Sequence, residues 1–441
     1  MGSFQQTVQE SAIAPATASY LLFAIEIETL QTVSKKQRVW VISELYYPEL
    51  TSTGYFLTGI AEGLVGDYDV SVLCGQPSYW ARGVRAPSRE MCNRVDVQRC
   101  RATTLDKNKL LGKIINLITI SLSIFLAALF RFRRGDIIIV VTNPPLLPYL
   151  TALACWVRGA RLILLVHDVY PEILTRLGIL KPQSILLRLL NRASVWLYQS
   201  TDRILVLGRD MRSLVAGKLP SRRDRVAIAT NWASSEMIVP APRGNNQLLD
   251  TLRLKEKFVV EFFGNMGRPH CIEDLLDAAE LLRPDPEIHF LLVGWGVKKV
   301  WAAKEKQARK LENMTIVDPL PREQSCDIQN ACDIAINTLS SDMSGISVPS
   351  RTYNVLASGK PMLAVCDDDS ELAAVIHEER IGWVVPPGRP DLLAEAIRAA
   401  KADPDELRAM GERARQAAER KYTLGYVLQV YKDTIEGLRS E

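Results

Sequence analysis

Residues 257–282, KFVVEFFGNMGRPHCIEDLLDAAELL, predict a buried strand, a tight turn and a helix in direct succession. The first part is apolar rather than alternating, which is typical of a parallel strand covered on both faces. The last part places apolar residues at helical spacing: Ile272, Leu275, Leu276, Ala279 and Leu282. A strand that passes through a short turn into a helix is the repeating unit of a doubly wound α/β domain.

The turn of this unit contains two glycines, Gly264 at the carboxyl end of the strand and Gly267 just before the helix. Glycine there lets the backbone come close to a ligand, and the free amides of a helix N-terminus favour an anion such as a phosphate. The alternative is that the glycines serve only to bend the chain.

The same unit occurs near the start of the chain, where RVWVI precedes a polar loop and an amphipathic helix. The polar loop contains Pro48, Glu49, Thr51, Thr53 and Gly54. Two polar, glycine-containing loops at one topological place favour a ligand site in a cleft between two domains.

Apolar runs separated by helical patterns divide the chain into two parts. The first part contains RVWVI, DVSVL, DIIIVV, RLILLV, DRILVL and RVAIA, and the second contains KFVVEFFG, IHFLLVG, MTIVD, DIAIN, PMLAV and GWVV. The polar stretch PAPRGNNQ between them is interpreted as a linker. We predict an N-terminal extension over residues 1–35, a Rossmann-like domain over 36–240, a second over 241–405, and C-terminal helices over 406–441 with a break at Gly425.

The composition is that of a globular protein of 441 residues, with 47% hydrophobic and 24% charged residues. Its formal net charge of +4 is not the basic excess that nucleic-acid binding requires, so we expect no nucleic-acid partner. Eight cysteines are scattered without a CxxC: Cys74, Cys92, Cys100, Cys155, Cys271, Cys326, Cys332 and Cys366. We expect reduced thiols in a cytoplasmic protein, with neither disulfides nor zinc.

The most membrane-like segment is KIINLITISLSIFLAALFRFRR, residues 113–134. Its apolar stretch is near the lower limit for a spanning helix, contains Asn, Thr and Ser, and is followed closely by Arg131, Arg133 and Arg134. Three interpretations stay open: a helix buried against a sheet, an in-plane helix with its arginines at anionic headgroups, and a true span.

An ordered set of motifs resembles the retaining glycosyltransferases of family 4, in particular the bacterial exopolysaccharide and colanic-acid members. The motifs are YYPELTSTG, TNPP, VHDVYPE, TNW, GNMG, LVGWG and VPSRTYNVLASGKP. The resemblance covers residues 38–387.

This resemblance implies the GT-B fold, in which two Rossmann-like domains face each other across a cleft. It also implies transfer of a sugar, with retention, from a UDP- or GDP-linked donor to an acceptor, without a metal or other cofactor. We expect a polyprenyl-linked oligosaccharide acceptor, surface polysaccharide as the product, and peripheral attachment to the inner face of the plasma membrane. The acid-rich CDDDS, residues 366–370, follows a strand and is interpreted as a surface loop.

Carried over residue by residue, the donor's diphosphate would lie against GNMG and the glycines of LVGWG. The implied donor-binding residues are Gly264, Asn265, Gly267, His270, Gly294, Gly296, Gly345, Ser347, Ser350 and Asn354. Arg268 and Arg351 are the implied catalytic cations, with Lys298 and Lys299 as weaker candidates, and solvated surface cations are the alternative for each. Many relatives have paired glutamates where this chain has Ile346 and Asn354, so the ribose contact would fall to an amide.

On the acceptor side, His167 and Asp168 follow an apolar strand, so they point into the cleft if the strand ends there. Either could orient a sugar hydroxyl or take the acceptor's proton, and Glu49, Thr51, Thr53 and Gly54 would line the same side. The alternative is that Asp168 caps the next segment and His167 packs beneath it. Two other functions stay open: a nucleotide-sugar 2-epimerase of the same fold, and a catalytically silent nucleotide-binding member.

Overall fold

The computed structural model describes residues 36–49, 51–78, 85–106, 109–321 and 324–440. The predicted N-terminal extension, residues 1–35, lies outside the described residues. The described part contains two largely parallel sheets with helices packed against them, so the doubly wound α/β prediction is confirmed.

The first sheet has the order β3-β4-β2-β1-β5-β6-β7-β8, and every pairing is parallel except that of β3 with β4. Its described strands are β1 (Arg38–Ile42), β2 (Asp69–Cys74), β3 (Arg89–Cys92), β4 (Val95–Arg99), β5 (Ile137–Val141), β6 (Arg161–Val166), β7 (Arg203–Val206) and β8 (Val226–Ile228). The order reverses at β1, so a crevice opens at the carboxyl ends of β1 and β5.

The second sheet has the order β11-β10-β9-β12-β13-β14 and is parallel throughout. Its described strands are β9 (Phe258–Asn265), β10 (Ile288–Trp295), β11 (Met314–Val317), β12 (Ile334–Thr338), β13 (Met362–Val365) and β14 (Gly382–Val385). The order reverses at β9, whose carboxyl end carries the GNMG turn.

The helices connect these strands in chain order. They are α1 (Ser52–Leu64), α2 (Leu110–Arg131), α3 (Leu147–Arg158), α4 (Glu172–Arg176), α5 (Ile185–Gln199), α6 (Arg209–Gly217), α7 (Gln247–Thr251), α8 (Ile272–Leu281), α9 (Lys299–Ala308), α10 (Ser325–Asn330), α11 (Arg351–Ala357), α12 (Glu371–Glu379), α13 (Pro390–Ala402), α14 (Pro404–Arg420) and α15 (Leu424–Arg439).

The last two helices belong to different cores. Ala414 and Ala417 of α14 are buried with the second sheet, whereas Tyr431 and Ile435 of α15 are buried in the core of the first. The predicted break at Gly425 was misplaced, because Thr423 caps α15 by accepting a hydrogen bond from the Tyr426 amide, which leaves the glycine in the first turn.

The hairpin formed by β3 and β4 was not predicted. Its strand β4 alternates between buried and half-exposed residues, so it lacks the continuous apolar run that marks the other strands. Asn93 and Arg94 form its two-residue turn, both with positive φ, which is the backbone that such hairpins require. The alternation was the available sequence signal.

Two side chains of α6 join the domains. The Arg209 guanidinium makes two hydrogen bonds with the Glu371 carboxylate, from Nε at 3.0 Å and from Nη2 at 3.1 Å. The neighbouring Asp210 carboxylate accepts from the Gly345 and Glu371 amides at 2.9 and 3.0 Å. Because Glu371 and Gly345 belong to the second domain, these contacts hold the two sheets in a fixed relation.

A buried carboxylic acid lies in the centre of β9. Glu261 is 2% exposed, and its Oε1 has no hydrogen-bond partner among the described residues. Burial raises its pKa to about 8, and the hydrogen bond with Cys332 and the charge of Lys360 only partly oppose that shift. The side chain is therefore largely protonated at neutral pH.

Glu261→Gln tests this protonation. The folded-state pKa lies above the unfolded one, so the acid's contribution to stability is lost as the pH rises through about 8. We expect the variant to gain roughly 4 kcal/mol over the wild type at pH 9 relative to pH 5. Denaturant unfolding at both pH values measures this. The exposed Glu256→Gln is the matched control, and an equal gain at both pH values would contradict the prediction.

Arg209→Met tests the contact between the domains. The Glu371 side chain is only 5% exposed, so removing the guanidinium leaves a buried carboxylate with fewer partners. We expect a loss on the order of 2 kcal/mol and a larger radius of gyration in small-angle scattering. Arg212→Met, an exposed position on the same helix, is the control and should change neither quantity.

Candidate functional site

The carboxyl ends of β9 and β10 form a tightly packed turn. Gly264 and Gly294 lie side by side in the strand register and have φ values of +124° and +150°. A Cβ on Gly294 would lie 1.9 Å from the Gly264 carbonyl oxygen, so no other residue fits there. Gly296 is similarly close to the backbone of Met266. Backbone packing alone therefore requires Gly294 and Gly296, whether or not a ligand approaches them.

Arg351, the first residue of α11, places its guanidinium over this turn. Its Cζ lies 3.4 Å from the position that a Cβ on Gly264 would occupy and 4.3 Å from the centre of the Phe262 ring. Its Nη2 lies 3.3 Å from the Asn265 carbonyl oxygen. Its Nη1 is buried and has no hydrogen-bond partner among the described residues. Burial lowers the pKa of the guanidinium to about 9, so it is still charged at neutral pH.

His270 is held beside this guanidinium in one orientation. Its Nδ1 lies 2.6 Å from the Thr338 carbonyl oxygen, and its Nε2 lies 3.1 Å from Nη2 of Arg351. Burial, and then the charge of Arg351, lower the pKa of the imidazole to about 3. A neutral ring that donates from Nδ1 and accepts at Nε2 satisfies both contacts.

The other predicted cations differ in their surroundings. Arg268 is exposed and makes no hydrogen bond or ion pair with the described residues. The Lys298 ammonium donates to the His270 carbonyl oxygen at 2.7 Å and pairs with Glu273 at 2.8 Å. Lys299 pairs with Asp318. Both lysines thus already have carboxylate partners, and Arg351 is the cation that lies over the glycine turn.

The loop before α11 brings further predicted residues to the cleft. The Gly345 backbone amide donates a hydrogen bond to the Asp210 carboxylate. Ser347 lies opposite Asp168 in an isolated antiparallel bridge. Ser350 is half-buried at the start of α11. Asn354 is half-buried, and its side-chain amide makes no hydrogen bond with the described residues, so the amide is available to a ligand.

Across the cleft, His167 and Asp168 follow the carboxyl end of β6. The Thr142 hydroxyl accepts from both of their amides, at 3.1 and 3.3 Å. Burial lowers the pKa of His167 to about 4, so the ring is neutral. Burial raises the pKa of Asp168, and a hydrogen bond from Ser347 opposes that shift. One carboxylate thus lies where the two domains touch.

Hydrogen bonds within the first domain hold the loop that precedes α1. The Thr51 hydroxyl accepts from the Gly54 amide at 3.2 Å and caps α1. Glu49 is 3% exposed, and its Oε2 accepts from the Ser78 amide at 2.8 Å. Thr53 is half-buried. Among the described residues, the Thr51 and Thr53 side chains make no hydrogen bond to the second domain, in contrast to Asp168.

Several residues of the site were not predicted. Phe262, Thr338 and Thr142 support the guanidinium, the imidazole and the His167–Asp168 backbone, and Asp210 fixes the loop at Gly345. Thr142 lies in the TNPP motif, which was the one available sequence signal. The roles of the others depend on contacts between segments that are far apart in the chain.

A cavity of about 620 Å³ lies away from the glycine turn. It lies on the first domain, where Glu44 and Gly75 follow β1 and β2, and Asn116 and Ile120 of α2 form one wall. The CDDDS acids lie elsewhere, with the Asp367 carboxylate accepting from the Asp342 amide at 2.6 Å. Within the described ranges, no group of three or more His, Cys, Asp and Glu residues could hold a metal ion.

The cleft thus has a positively charged group on its second-domain side and a carboxylate, Asp168, on its first-domain side. A charged guanidinium with a buried free nitrogen lies over a glycine turn, next to the N-terminus of α8. A group with phosphate oxygens would accept a hydrogen bond from that nitrogen. The neighbouring imidazole of His270 is neutral, so it does not repel the guanidinium.

Comparison with known proteins agrees with this geometry. The family model described as a glycosyl transferase 4-like domain matches residues 53–232, and that of glycosyl transferases group 1 matches residues 249–417. Probable glycosyltransferase WbjE of Pseudomonas aeruginosa is 34% identical over 367 residues, which are 82% of this chain and 88% of that protein. A putative colanic acid biosynthesis glycosyl transferase, WcaI of Escherichia coli K12, is 26% identical over 419 residues, 89% of this chain and 98% of that protein.

Solved structures share the fold. The crystal structure of HepE from Anabaena in complex with UDP and glucose superposes with a TM-score of 0.70 at 14% identity, and the match covers 91% of this chain and all of that one. The two domains thus have the GT-B arrangement that the motifs implied. The protein belongs to the group 1 glycosyltransferases of family 4, and its activity is glycosyl transfer.

Proposed function

We propose that this protein transfers a hexose, with retention and without a metal, from a nucleotide diphosphate sugar to a lipid-linked glycan in surface polysaccharide biosynthesis. The donor lies on the domain of residues 241–405, and the acceptor lies on that of residues 36–240. A relative named for colanic acid biosynthesis and a neighbour crystallised with UDP support this assignment.

The observation that carries the proposal is the free Nη1 of Arg351. A buried charged nitrogen without a partner is costly, so its retention indicates that a ligand completes its hydrogen bonds. The donor diphosphate fits, because its oxygens accept charge-assisted bonds and its other end reaches the amides at the start of α8. Because Gly264 has no side chain, the phosphates can approach the backbone closely. The exposed Arg268 side chain can then contact the phosphates from the solvent side.

Asn354 is suited to hold the ribose. It lies one turn of α11 beyond Arg351, and its side-chain amide makes no hydrogen bond with the described residues. An amide can both donate to and accept from the two ribose hydroxyls. Gly345, Ser347 and Ser350 then line the region of the sugar and its phosphates.

In the transfer step, the bond between the anomeric carbon and the β-phosphate oxygen breaks, and a bond from the acceptor oxygen to that carbon forms on the same face. The acceptor's proton goes to the departing phosphate oxygen. Arg351 and the helix amides stabilise the negative charge that develops on the leaving group. His167 and Asp168 orient the acceptor hydroxyl from across the cleft.

The first-domain cavity is suited to an anionic acceptor. Arg85 and Arg101 line it, and neither makes a hydrogen bond or ion pair with another described residue. Thr103 and Asn116 add polar groups to its wall. A lipid diphosphate that carries a glycan has the complementary charge.

Arg351→Met tests the donor site, because methionine keeps the apolar stem and removes the charge. We expect UDP or GDP affinity, measured by calorimetry, to fall roughly 10- to 100-fold. The unliganded variant should be no less stable than the wild type, since a buried unpaired charge is removed. Arg398→Met, an exposed ion-paired position, should leave affinity unchanged. Unchanged affinity in Arg351→Met would contradict the assignment.

A panel of UDP, GDP and ADP sugars, with and without EDTA, tests the reaction itself. We expect release of one nucleotide diphosphate, insensitive to EDTA and weakened in Arg351→Met. A donor returned with an inverted C2 would instead establish a 2-epimerase. Nucleotide binding without release, even with a lipid-diphosphate acceptor present, would establish a silent member.

A further inference from the structure

The topology of the first sheet places three helices on one face. The connections from β4 to β5, β5 to β6 and β6 to β7 all run in the same direction across the sheet order, and they contain α2, α3 and α5. Right-handed crossovers that run in one direction lie on one face of a sheet. The connection from β1 to β2 runs the other way, which puts α1 on the opposite face.

These three helices expose an apolar surface, which we call the apolar face. Phe130 of α2 and Trp156 of α3 are 84% and 81% exposed. The face comprises Leu111, Ile114, Ile118, Leu122, Leu126 and Phe130 on α2, Leu153, Trp156 and Val157 on α3, and Ile185, Leu186, Leu189 and Trp196 on α5. Thirteen exposed large apolar side chains on three neighbouring helices mark an interaction site.

Helix α2 is apolar on two opposite sides. Its buried stripe, Ile120, Ile124 and Ala128, packs into the first-domain core on the side opposite the exposed stripe. The buried Asn116 extends this side, and Asn116 and Ile120 line the cavity. By length and composition α2 could span a membrane, since its mean hydropathy is 2.1. Because one side belongs to the core, the helix can enter a bilayer only in the plane of its surface. Of the sequence interpretations, burial against the sheet is thus correct for one side only.

The charged residues that α2, α3 and α5 themselves contribute are all basic. Between residues 109 and 201, acids occur only at Asp136, Asp168 and Glu172, and none of these lies on α2, α3 or α5. Basic residues border the face: Lys113, Arg131, Arg133, Arg134, Arg158, Lys181, Arg188 and Arg192. The ends of α2 and α3 meet through a hydrogen bond from the Gly135 amide to the Gly159 carbonyl, which gathers four of the arginines at one edge.

We propose that the apolar face is a docking surface for an anionic lipid bilayer, which α2, α3 and α5 enter in plane. Apolar side chains enter the boundary between headgroups and acyl chains, while the basic border contacts phosphate headgroups. Trp156 and Trp196 are suited to that boundary, because an indole is apolar with one polar N–H. Docking does not depend on the transfer reaction, but it would bring the cavity behind α2 next to a lipid-linked acceptor.

Flotation of the full chain with vesicles tests the docking surface. We expect binding to vesicles of equal parts phosphatidylcholine and phosphatidylglycerol, and at least about tenfold weaker binding to phosphatidylcholine alone. Phe130→Ser with Trp156→Ser should weaken binding to the anionic vesicles about tenfold or more. Arg133→Gln with Arg134→Gln should weaken it roughly tenfold and make it less sensitive to salt.

Matched controls change exposed residues elsewhere. Met91→Ser with Tyr426→Ser, and Arg408→Gln with Arg420→Gln, should bind like the wild type. All variants should bind nucleotide like the wild type, because none of the changed residues belongs to the proposed donor site. If the wild type itself fails to bind nucleotide, that result counts against the proposed function and not against the docking surface.

Two outcomes overturn the docking proposal. The first is a wild type that stays with neither vesicle, and the second is full binding by the Phe130→Ser, Trp156→Ser variant. In the second case, light scattering that shows a dimer only in the wild type would assign the face to a second copy of the chain. In the first case, vesicle binding by a chain without residues 1–35 would assign the face to these residues.

Discussion

A parallel sheet covered by helices leaves polar groups few places except the loops at its strand ends. This protein has two such sheets, and the carboxyl ends of the strands of both sheets face one cleft. Strands such as β5, β6 and β12 are buried almost throughout, so the side chains that carry chemistry come from the loops that follow strands. The fold thus fixes where a site can be, and the contacts of Asp210 and Asp168 with the opposite domain fix its width.

Within this cleft, one buried positive charge has no counter-ion among the described residues. Arg351 is held by an aromatic ring, a carbonyl oxygen and a neutral imidazole, none of which neutralises it. His270 contributes by being unprotonated: a charged imidazole would repel the guanidinium and would lose the acceptor at Nε2. Burying this guanidinium without a counter-ion costs stability, and that cost is consistent with the donor site proposed above.

The sequence predicted the features that depend on local patterns. Continuous apolar runs predicted twelve of the described strands, and the ordered motifs led to the family. Pairings between distant segments escaped prediction, because no local pattern encodes them: Phe262 beneath Arg351, Thr338 behind His270, and the carboxylate partners of Lys298 and Lys299. The β3–β4 hairpin was not predicted because buried and half-exposed residues alternate along β4. The boundary between α14 and α15 was misplaced because Thr423, and not Gly425, determines where α15 begins.

The return of α15 to the first domain has a consequence for synthesis of the chain. Tyr431 and Ile435 complete a core whose strands end with β8, so the first domain is finished only after the whole second domain has been translated. Until then, the outer surface of α1 lacks its cover, and a nascent chain exposes apolar residues while some two hundred further residues emerge. The first domain to be made is thus the last to be completed, and the ribosome-bound intermediate is the state most in need of a chaperone.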